Sequence, residues 1–184
     1  MLRIILIVVA SLLLSPAAAT EAGWALLREG GQVVLLRHAM TPGSGDPGNF
    51  NVDDCSTQRN LSETGREQAD RLGVLISVRA AHTEQVLSSR YCRCLETAQY
   101  AFDDLKPEIF EALDPLSVVL DDAQAQIAAI VERVKSFSGS GNLVMITHKE
   151  NIEALTGISA RQGEAVIVRA DSDKLRALGR IIFD

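Results

Sequence analysis

The sequence has no excess of positive charge and no long hydrophobic segment. It has 18 basic and 24 acidic side chains and a formal net charge of -6. Broad binding to nucleic acids needs an excess of basic surface, so the composition argues against that class. A small phosphorylated ligand needs only a few local arginines and stays possible. The one long apolar run, residues 4–14, has 11 residues, whereas a membrane-spanning helix needs about 20. We therefore expect no stable membrane anchor.

The first 19 residues have the pattern of a cleavable secretory signal. Met1 to Arg3 is a short basic start, Ile4 to Leu14 is apolar, and Ser15 to Ala19 ends the segment mostly with small residues. The sequence therefore predicts cleavage after Ala19 and a periplasmic or secreted location. Residues 20–184 have the length of one ordinary domain.

Cysteines are scarce, with three in the chain. An oxidising compartment outside the cytoplasm allows a disulfide, and an odd number leaves at least one thiol unpaired. Cys92 and Cys94 are too close in sequence to form an unstrained pair. The two remaining pairings, Cys55 with Cys92 and Cys55 with Cys94, are both open at this point.

Strand and helix patterns alternate along the chain. Ser62 is the expected N-cap of a first helix with Ala69, Leu72, Leu75 and Ile76 at helical spacing. The predicted strands are Gln32–Leu36, Gln85–Ser88, Glu108–Phe110 and Asn142–Thr147, two further helices are Arg93–Phe102 and Ala123–Phe137, and a β-hairpin pairs Ala165–Arg169 with Leu175–Ile182. Alternation of this kind predicts a three-layer α/β/α fold with a mostly parallel central sheet and an antiparallel C-terminal hairpin.

Thr41 to Asn60 does not fit that alternation. This segment is rich in Gly, Pro, Asn and Asp and has no convincing periodicity. Loops of this length inside a compact domain are usually functional or disordered.

Two of the three histidines follow predicted strands directly. His38 comes after the first strand and His148 after the strand that ends at Thr147. In open α/β sheets, ligands bind at the carboxyl ends of the strands, so the two imidazoles could meet across one ligand. Arg37 and Arg93 add guanidinium groups, which match phosphate oxygens, at a strand end and a helix start. His82, which lies in a polar loop, and Arg90, which lies close to Arg93 in the sequence, are interpreted as surface groups.

Four segments resemble, in order, the motifs of the histidine phosphatase superfamily, whose fold is phosphoglycerate mutase-like. Leu36-Arg37-His38-Ala39-Met40-Thr41 resembles its Arg-His-Gly signature, and Thr147-His148 resembles its second-histidine motif. Between them lie the segments Leu61-Ser62-Glu63-Thr64-Gly65-Arg66-Glu67-Gln68-Ala69 and Ser88-Ser89-Arg90-Tyr91-Cys92-Arg93-Cys94-Leu95-Glu96-Thr97-Ala98, which resemble its Leu-Ser/Thr-x-x-Gly-x-x-Gln-Ala and Ser-Ser-x-x-x-Arg-x-x-x-Thr-Ala elements. Each match alone is weak, but four in the family's order are specific.

The resemblance implies a role for each matching residue. His38 would be the nucleophile that takes the phosphoryl group on a ring nitrogen. Arg37, Arg93 and His148 would hold the phosphate oxygens, and Thr41 would join them in binding the substrate. Fixed cationic donors suit this chemistry because phosphoryl transfer spreads charge over the equatorial oxygens. Water would then hydrolyse the phosphohistidine, with no metal and no cofactor.

The sequence departs from the family pattern at two points. Ala39 replaces the usual glycine and narrows the space beside the nucleophile. The proton donor is not in clean register, so Glu111, Asp114 and Glu150 are all candidates, of which we favour Asp114. A solvated loop carboxylate is the competing interpretation for each of them.

The resemblance also bears on the disulfide. Cys94 occupies a position where the family often has a small apolar residue in the core, whereas Cys92 falls in a more variable turn. This favours Cys55–Cys92, a bridge that would hold the Thr41–Asn60 loop over the phosphate pocket as a specificity wall.

The function that follows is an exported, metal-independent phosphatase acting on a small phosphomonoester. The periplasmic branch, with members that resemble phosphatases of lipopolysaccharide core heptose phosphates, points to a sugar phosphate or a lipopolysaccharide core phosphate. One alternative is a noncatalytic protein that binds phosphate or phospho-sugars on the same fold. Another is a metal-binding protein that uses His38, His148, Cys92 and Cys94. Export argues against a glycolytic mutase.

Overall fold

The computed structural model describes residues 16–183, so most of the predicted signal segment, residues 1–15, lies outside the described part. The helices are α1 (Pro16–Glu29), α2 (Glu63–Arg79), α3 (Cys92–Ala101), α4 (Leu120–Ser136) and α5 (Lys149–Thr156). The strands are β1 (Val33–Arg37), β2 (Thr83–Ser88), β3 (Glu108–Ile109), β4 (Asn142–Thr147), β5 (Ala165–Asp171) and β6 (Lys174–Ile181). Short 3-10 turns cover Cys55–Thr57 and Glu111–Leu113.

The strands form one six-stranded sheet in the order β3-β2-β4-β1-β5-β6. β1, β2, β3 and β4 are parallel, and β5 and β6 add to β1 as an antiparallel hairpin. This is the predicted sheet, so the fold class is confirmed. β1 lies beside β4 with Arg37 opposite Thr147, and this register brings the residues that follow the two strands to the same edge.

Helices cover both faces of the sheet because side chains of a strand alternate between its faces. Val34 and Leu36 of β1 pack in a core with α1, α2 and α3, whereas Val33 and Leu35 pack in a second core with α4 and α5. β4 is buried along its whole length. A strand buried on both faces has the continuous apolar sequence that made β1 and β4 predictable.

Two helices were not predicted from the sequence. α1 overlaps the predicted signal segment, yet its Trp24 and Leu27 are only 1% and 2% exposed and belong to the core. α5 has eight residues, mostly polar, with an apolar face limited to Ile152 and Leu155. Cleavage after Ala19 would leave both core residues of α1 in the mature chain. Within residues 16–183, no helix is long and apolar enough to cross a membrane.

The start of α2 is clamped against the segment that follows β1. Ser62 is the N-cap, as predicted, and its hydroxyl accepts a hydrogen bond from the backbone N–H of Gly65 at 3.0 Å. The carbonyl of Met40 accepts hydrogen bonds from the backbone N–H and the hydroxyl of Ser62, at 3.0 and 3.2 Å. A Cβ on Gly65 would lie 1.9 Å from that carbonyl oxygen, so only glycine fits.

We predict that Gly65→Ala lowers the free energy of unfolding by about 1–3 kcal/mol, because the added methyl group must displace backbone. Urea denaturation followed by circular dichroism measures the change. Gly48→Ala is the matched control, since a Cβ there meets no atom within 4 Å. Equal stability of the two variants would contradict the packing described for Gly65.

Candidate active site

His38 follows β1 and is held by two hydrogen bonds. Its backbone N–H donates to the carbonyl of Thr147 at 3.1 Å, and its ring Nδ1 lies 2.8 Å from the carbonyl oxygen of Ala39. A carbonyl oxygen only accepts, so the proton of the imidazole is on Nδ1. The other ring nitrogen, Nε2, therefore carries a lone pair and can act as a nucleophile.

The surroundings keep this imidazole neutral. Burial lowers the pKa of His38 to about 3, and the positive charges of Arg93, Arg37 and Arg59 act in the same direction. The hydrogen bond to Ala39 opposes this effect but is the smaller contribution. His38 is therefore a neutral imidazole, with one N–H, at neutral pH.

His148 follows β4 and lies beside His38, with 5.5 Å between the ring centroids. Its Nε2 is 3.1 Å from the hydroxyl oxygen of Ser89, and that hydroxyl donates its single hydrogen to Asp114. Nε2 of His148 must therefore be the donor to Ser89, which leaves Nδ1 as the free nitrogen. Burial, followed by the charge of Arg93, lowers the pKa of His148 well below its usual value.

Asp114, the favoured candidate for the proton donor, is buried and connected to His148 through Ser89. Its carboxylate accepts hydrogen bonds from the Ser89 hydroxyl at 2.8 Å and from the backbone N–H and Nε of Arg90 at 2.9 and 2.8 Å. Nη2 of Arg90 lies 2.7 Å from the same carboxylate, so all four lone-pair positions are engaged and Asp114 must give up one contact before it can carry a proton. Glu111 is exposed and lies 3.4 Å from the Arg90 guanidinium, and Glu150 is exposed in the first turn of α5.

Arg37 and Arg93 each bring an unpartnered guanidinium N–H to the site. Nη1 of Arg37 donates to the carbonyl of Ala160 at 2.8 Å, and Nη1 of Arg93 donates to Asp46 at 2.9 Å. In both residues Nε is buried and has no hydrogen-bond partner among the described residues. Buried donors are normally paired, so two such N–H groups beside two neutral histidines indicate a site for an anion.

Arg59 and Asp46, two residues of the Thr41–Asn60 loop that were not predicted from the sequence, lie beside these arginines. Nη1 of Arg59 donates to the Thr41 hydroxyl, and its backbone N–H donates to Asp46 at 3.2 Å. Asp46 also pairs with Arg93, so one loop carboxylate orients two arginine-bearing segments. A signal was present, because Arg59 is the only basic residue between Thr41 and Asn60.

Two motif residues hold the turn around the nucleophile. The hydroxyl of Thr97 accepts a hydrogen bond from the backbone N–H of Ala39 at 2.9 Å and donates to the carbonyl of Arg93 at 2.7 Å. The side-chain oxygen of Gln68 accepts from the backbone N–H of Met40 at 3.0 Å. The Thr-Ala and Gln-Ala elements of the sequence are therefore braces for the segment that carries His38.

A disulfide joins Cys55 and Cys92, whose Cα atoms are 5.6 Å apart, and Cys94 is free and buried. The bond fastens the loop to the residue before Arg93. The side-chain oxygen of Gln58 adds to the fastening by accepting a hydrogen bond from the backbone N–H of Cys92 at 2.9 Å. The loop is thus fixed at its far end to the start of α3.

The thiols do not suit the metal-binding alternative. Cys92 is consumed by the disulfide, and burial raises the pKa of Cys94 to about 12, so this thiol stays protonated at neutral pH. Among residues 16–183, no three or more His, Cys, Asp or Glu side chains are grouped to hold a metal ion.

Fold and site together define a three-layer α/β protein with paired histidines and unpartnered guanidinium groups at the carboxyl edge of its parallel strands. Comparison of sequences agrees with the motifs described above. The model of the histidine phosphatase superfamily (branch 1) matches residues 33–119 of this chain. A search of curated protein sequences finds no match.

Solved structures share the phosphoglycerate mutase-like fold at low sequence identity. The protein histidine phosphatase SixA complexed with tungstate is 17% identical with a TM-score of 0.57, and the alignment covers 82% of this chain and 96% of the SixA chain. The alpha-ribazole phosphatase from Shigella flexneri is 15% identical with a TM-score of 0.60, and the alignment covers 83% of this chain and 96% of that phosphatase. A mutant phosphoserine phosphatase from Entamoeba histolytica, in complex with phosphoserine, is 14% identical with a TM-score of 0.58, covering 81% and 95%.

For the protein without ligand, we predict that the rings of His38 and His148 are both neutral at about pH 6.5 and above. The pKa of each is lowered, so protonation begins only as the pH falls far below the ordinary histidine value of about 6.5. Long-range ¹H–¹⁵N NMR spectra distinguish imidazole from imidazolium, and free histidine in the same buffer is the reference. Conversion of either buried ring to imidazolium near pH 6.5 would contradict the site described above.

We predict that the double substitution Cys55→Ser and Cys92→Ser lowers the free energy of unfolding by about 2–4 kcal/mol, because the bridge closes a loop across a separation of 37 residues. Urea denaturation with and without dithiothreitol measures this. The reductant should lower the stability of the wild-type protein and leave the double variant unchanged. Cys94→Ala is the cysteine control and should retain the response to reductant.

Proposed function

We propose that this protein is an exported, metal-independent phosphatase that hydrolyses a small phosphomonoester through a phosphohistidine on His38. The observation that carries the proposal is the ring of His38, with its proton on Nδ1 and a bare Nε2, in a site with unpartnered N–H groups of Arg37 and Arg93. This combination pairs a neutral nucleophile with cationic donors, which is what phosphoryl transfer needs.

The proposed reaction has two steps. In the first, the lone pair on Nε2 of His38 forms a bond to phosphorus, the ester P–O bond breaks, and the leaving oxygen takes a proton from an acid of the site. In the second, water gives a proton to the conjugate base left by that acid, its oxygen attacks phosphorus, the P–N bond breaks with its electron pair returning to Nε2, and inorganic phosphate leaves. Arg37, Arg93 and protonated His148 would hold the equatorial oxygens in both steps. The anionic phosphate would favour that proton on Nδ1 of His148.

Asp114 remains the favoured acid, with Glu111 and Glu150 as the other candidates. Its proximity to His148 through Ser89 supports the assignment. The same contacts favour the noncatalytic alternative, in which the site binds phosphate or a phospho-sugar without turnover, because the carboxylate is engaged by Arg90 and Ser89. The catalytic and noncatalytic roles of Asp114 differ in one respect: a substitution of a catalytic Asp114 removes activity and leaves phosphate binding intact.

Export is part of the proposal and is supported by two features. The apolar N-terminal segment followed by small residues is typical of a secretory signal. The Cys55–Cys92 disulfide fits an oxidising compartment such as the periplasm.

The substrate class is proposed as a small phosphorylated metabolite, with sugar phosphates and lipopolysaccharide core phosphates as the first compounds to test. The structurally similar phosphatases named for alpha-ribazole and phosphoserine support a small substrate. Thr41 would take part in binding it.

We predict that the purified protein hydrolyses a generic aryl phosphate in the presence of a chelator, and that His38→Ala lowers kcat/KM by at least about a thousandfold because the nucleophile is lost. His82→Ala is the matched control and should retain activity, because His82 is exposed and directly precedes β2. Measurable phosphate binding without turnover of any phosphomonoester would replace the enzyme by the binding protein. Activity that disappears with the chelator would refute metal independence.

A further inference from the structure

Arg59 is held in a fixed position at the edge of the site. Its backbone N–H donates to Asp46, and its Nη1 donates to the hydroxyl of Thr41, which also accepts a hydrogen bond from the side-chain amide of Gln162 at 3.0 Å. These contacts come from the first residues of the loop and from the segment before β5. The guanidinium group is therefore oriented before any ligand binds.

One edge of this guanidinium is unused. Nη1 is engaged by Thr41, whereas Nε is buried and has no partner among the described residues. Arginine presents Nε and Nη2 as a planar fork that matches the two oxygens of a carboxylate or phosphate. The available fork is complementary to an anion.

Arg59 acts more weakly on the two histidines than the other two arginines do. Among the positive charges that lower the pKa of His38, those of Arg93 and Arg37 have larger effects than that of Arg59. The same order applies to His148. Arg37 and Arg93 each supply an unpartnered N–H that can bind the transferred phosphoryl group. Arg59 is therefore not needed to bind that group.

The positive charge at this edge is only partly balanced. Burial, followed by the charge of Arg93, lowers the pKa of Arg59, and Asp46 and the exposed Glu150 act in the opposite direction. Asp46 is shared with Arg93, from whose Nη1 it accepts a hydrogen bond. The guanidinium groups of Arg37, Arg59 and Arg93 therefore face three carboxylates, of which Glu150 is in solvent and Glu164 is already paired with Arg180.

The disulfide keeps this arrangement rigid. Cys55 is four residues before Arg59 and is bonded to Cys92, which adjoins Arg93. The two arginine-bearing segments are thus covalently linked, so the separation between Arg59 and the phosphate-binding pair varies little. A fixed separation between two anion sites is the basis for recognising a ligand with two anionic groups.

We propose that Arg59 binds a second anionic group of the substrate, a carboxylate or a second phosphate close to the ester phosphate, and thereby determines specificity. This inference rests on the proposed function, because it places the ester phosphate between Arg37 and Arg93. Arg59 is a specificity residue in this proposal and takes no part in bond breaking.

The test compares three two-carbon ligands that differ in the second group: ethyl phosphate, phosphoglycolate and ethylene glycol bisphosphate. Isothermal titration uses the His38→Ala protein, so that no ligand is hydrolysed. We expect at least one of the two doubly anionic ligands to bind about tenfold or more tightly than ethyl phosphate. Adding Arg59→Gln should remove most of that preference, and Arg59→Lys should restore part of it, since it keeps the charge but not the fork.

Arg28→Gln is the matched control. Arg28 is exposed in the last turn of α1, at the opposite edge of the sheet, and its loss removes the same charge. Equal affinity for all three ligands would overturn the inference. So would an Arg59→Gln variant that weakens all three equally, because Arg59 would then belong to the phosphoryl pocket. Failure to bind any of the three esters would also overturn it.

Turnover of aryl phosphate by the protein with His38 intact tests the proposed function separately. Turnover without a preference for a second anion refutes only the role of Arg59. A preference lost in Arg59→Gln but without turnover supports the second anion site and refutes catalysis.

Discussion

The site depends on holding guanidinium groups close together in a buried pocket in the absence of an anion. Arg37, Arg93 and Arg59 each keep a buried Nε without a partner among the described residues, and their charges act on His38. Concentrating like charges in this way costs free energy, which the rest of the fold must offset. Asp46 offsets part of this cost directly by pairing with Arg93. The sheet, the disulfide and the hydrogen bonds of the loop keep the guanidinium groups from moving apart.

The same charges set the protonation state of the histidines. With burial, they keep His38 neutral, and the carbonyl of Ala39 then decides which nitrogen carries the proton. The hydroxyl of Ser89, committed to Asp114, does the equivalent for His148. Two imidazoles that are neighbours in space therefore present different nitrogens to the site, because their second hydrogen-bond partners differ.

Much of the fold could be predicted because its central strands are buried on both faces and are continuously apolar. Two helices could not be predicted. α1 overlaps a sequence that resembles a secretory signal, and α5 is short and mostly polar, so it has little hydrophobic periodicity. At the site, His38 and His148 were placed at one edge of the sheet by the strands that precede them, and Arg37 and Arg93 by their chemistry. Arg59 and Asp46 were missed because an irregular loop has no period from which a direction can be inferred.

The sequence by itself determined the chemistry available: two histidines and two arginines at strand and helix ends, and an odd number of cysteines. The tertiary structure decided which of these groups meet and in which protonation state. β1 lies next to β4, so His38 and His148 become neighbours although they are far apart in the chain. Hydrogen-bond partners, burial and the position of Arg59 depend on distances between remote segments, and only the folded chain fixes those distances.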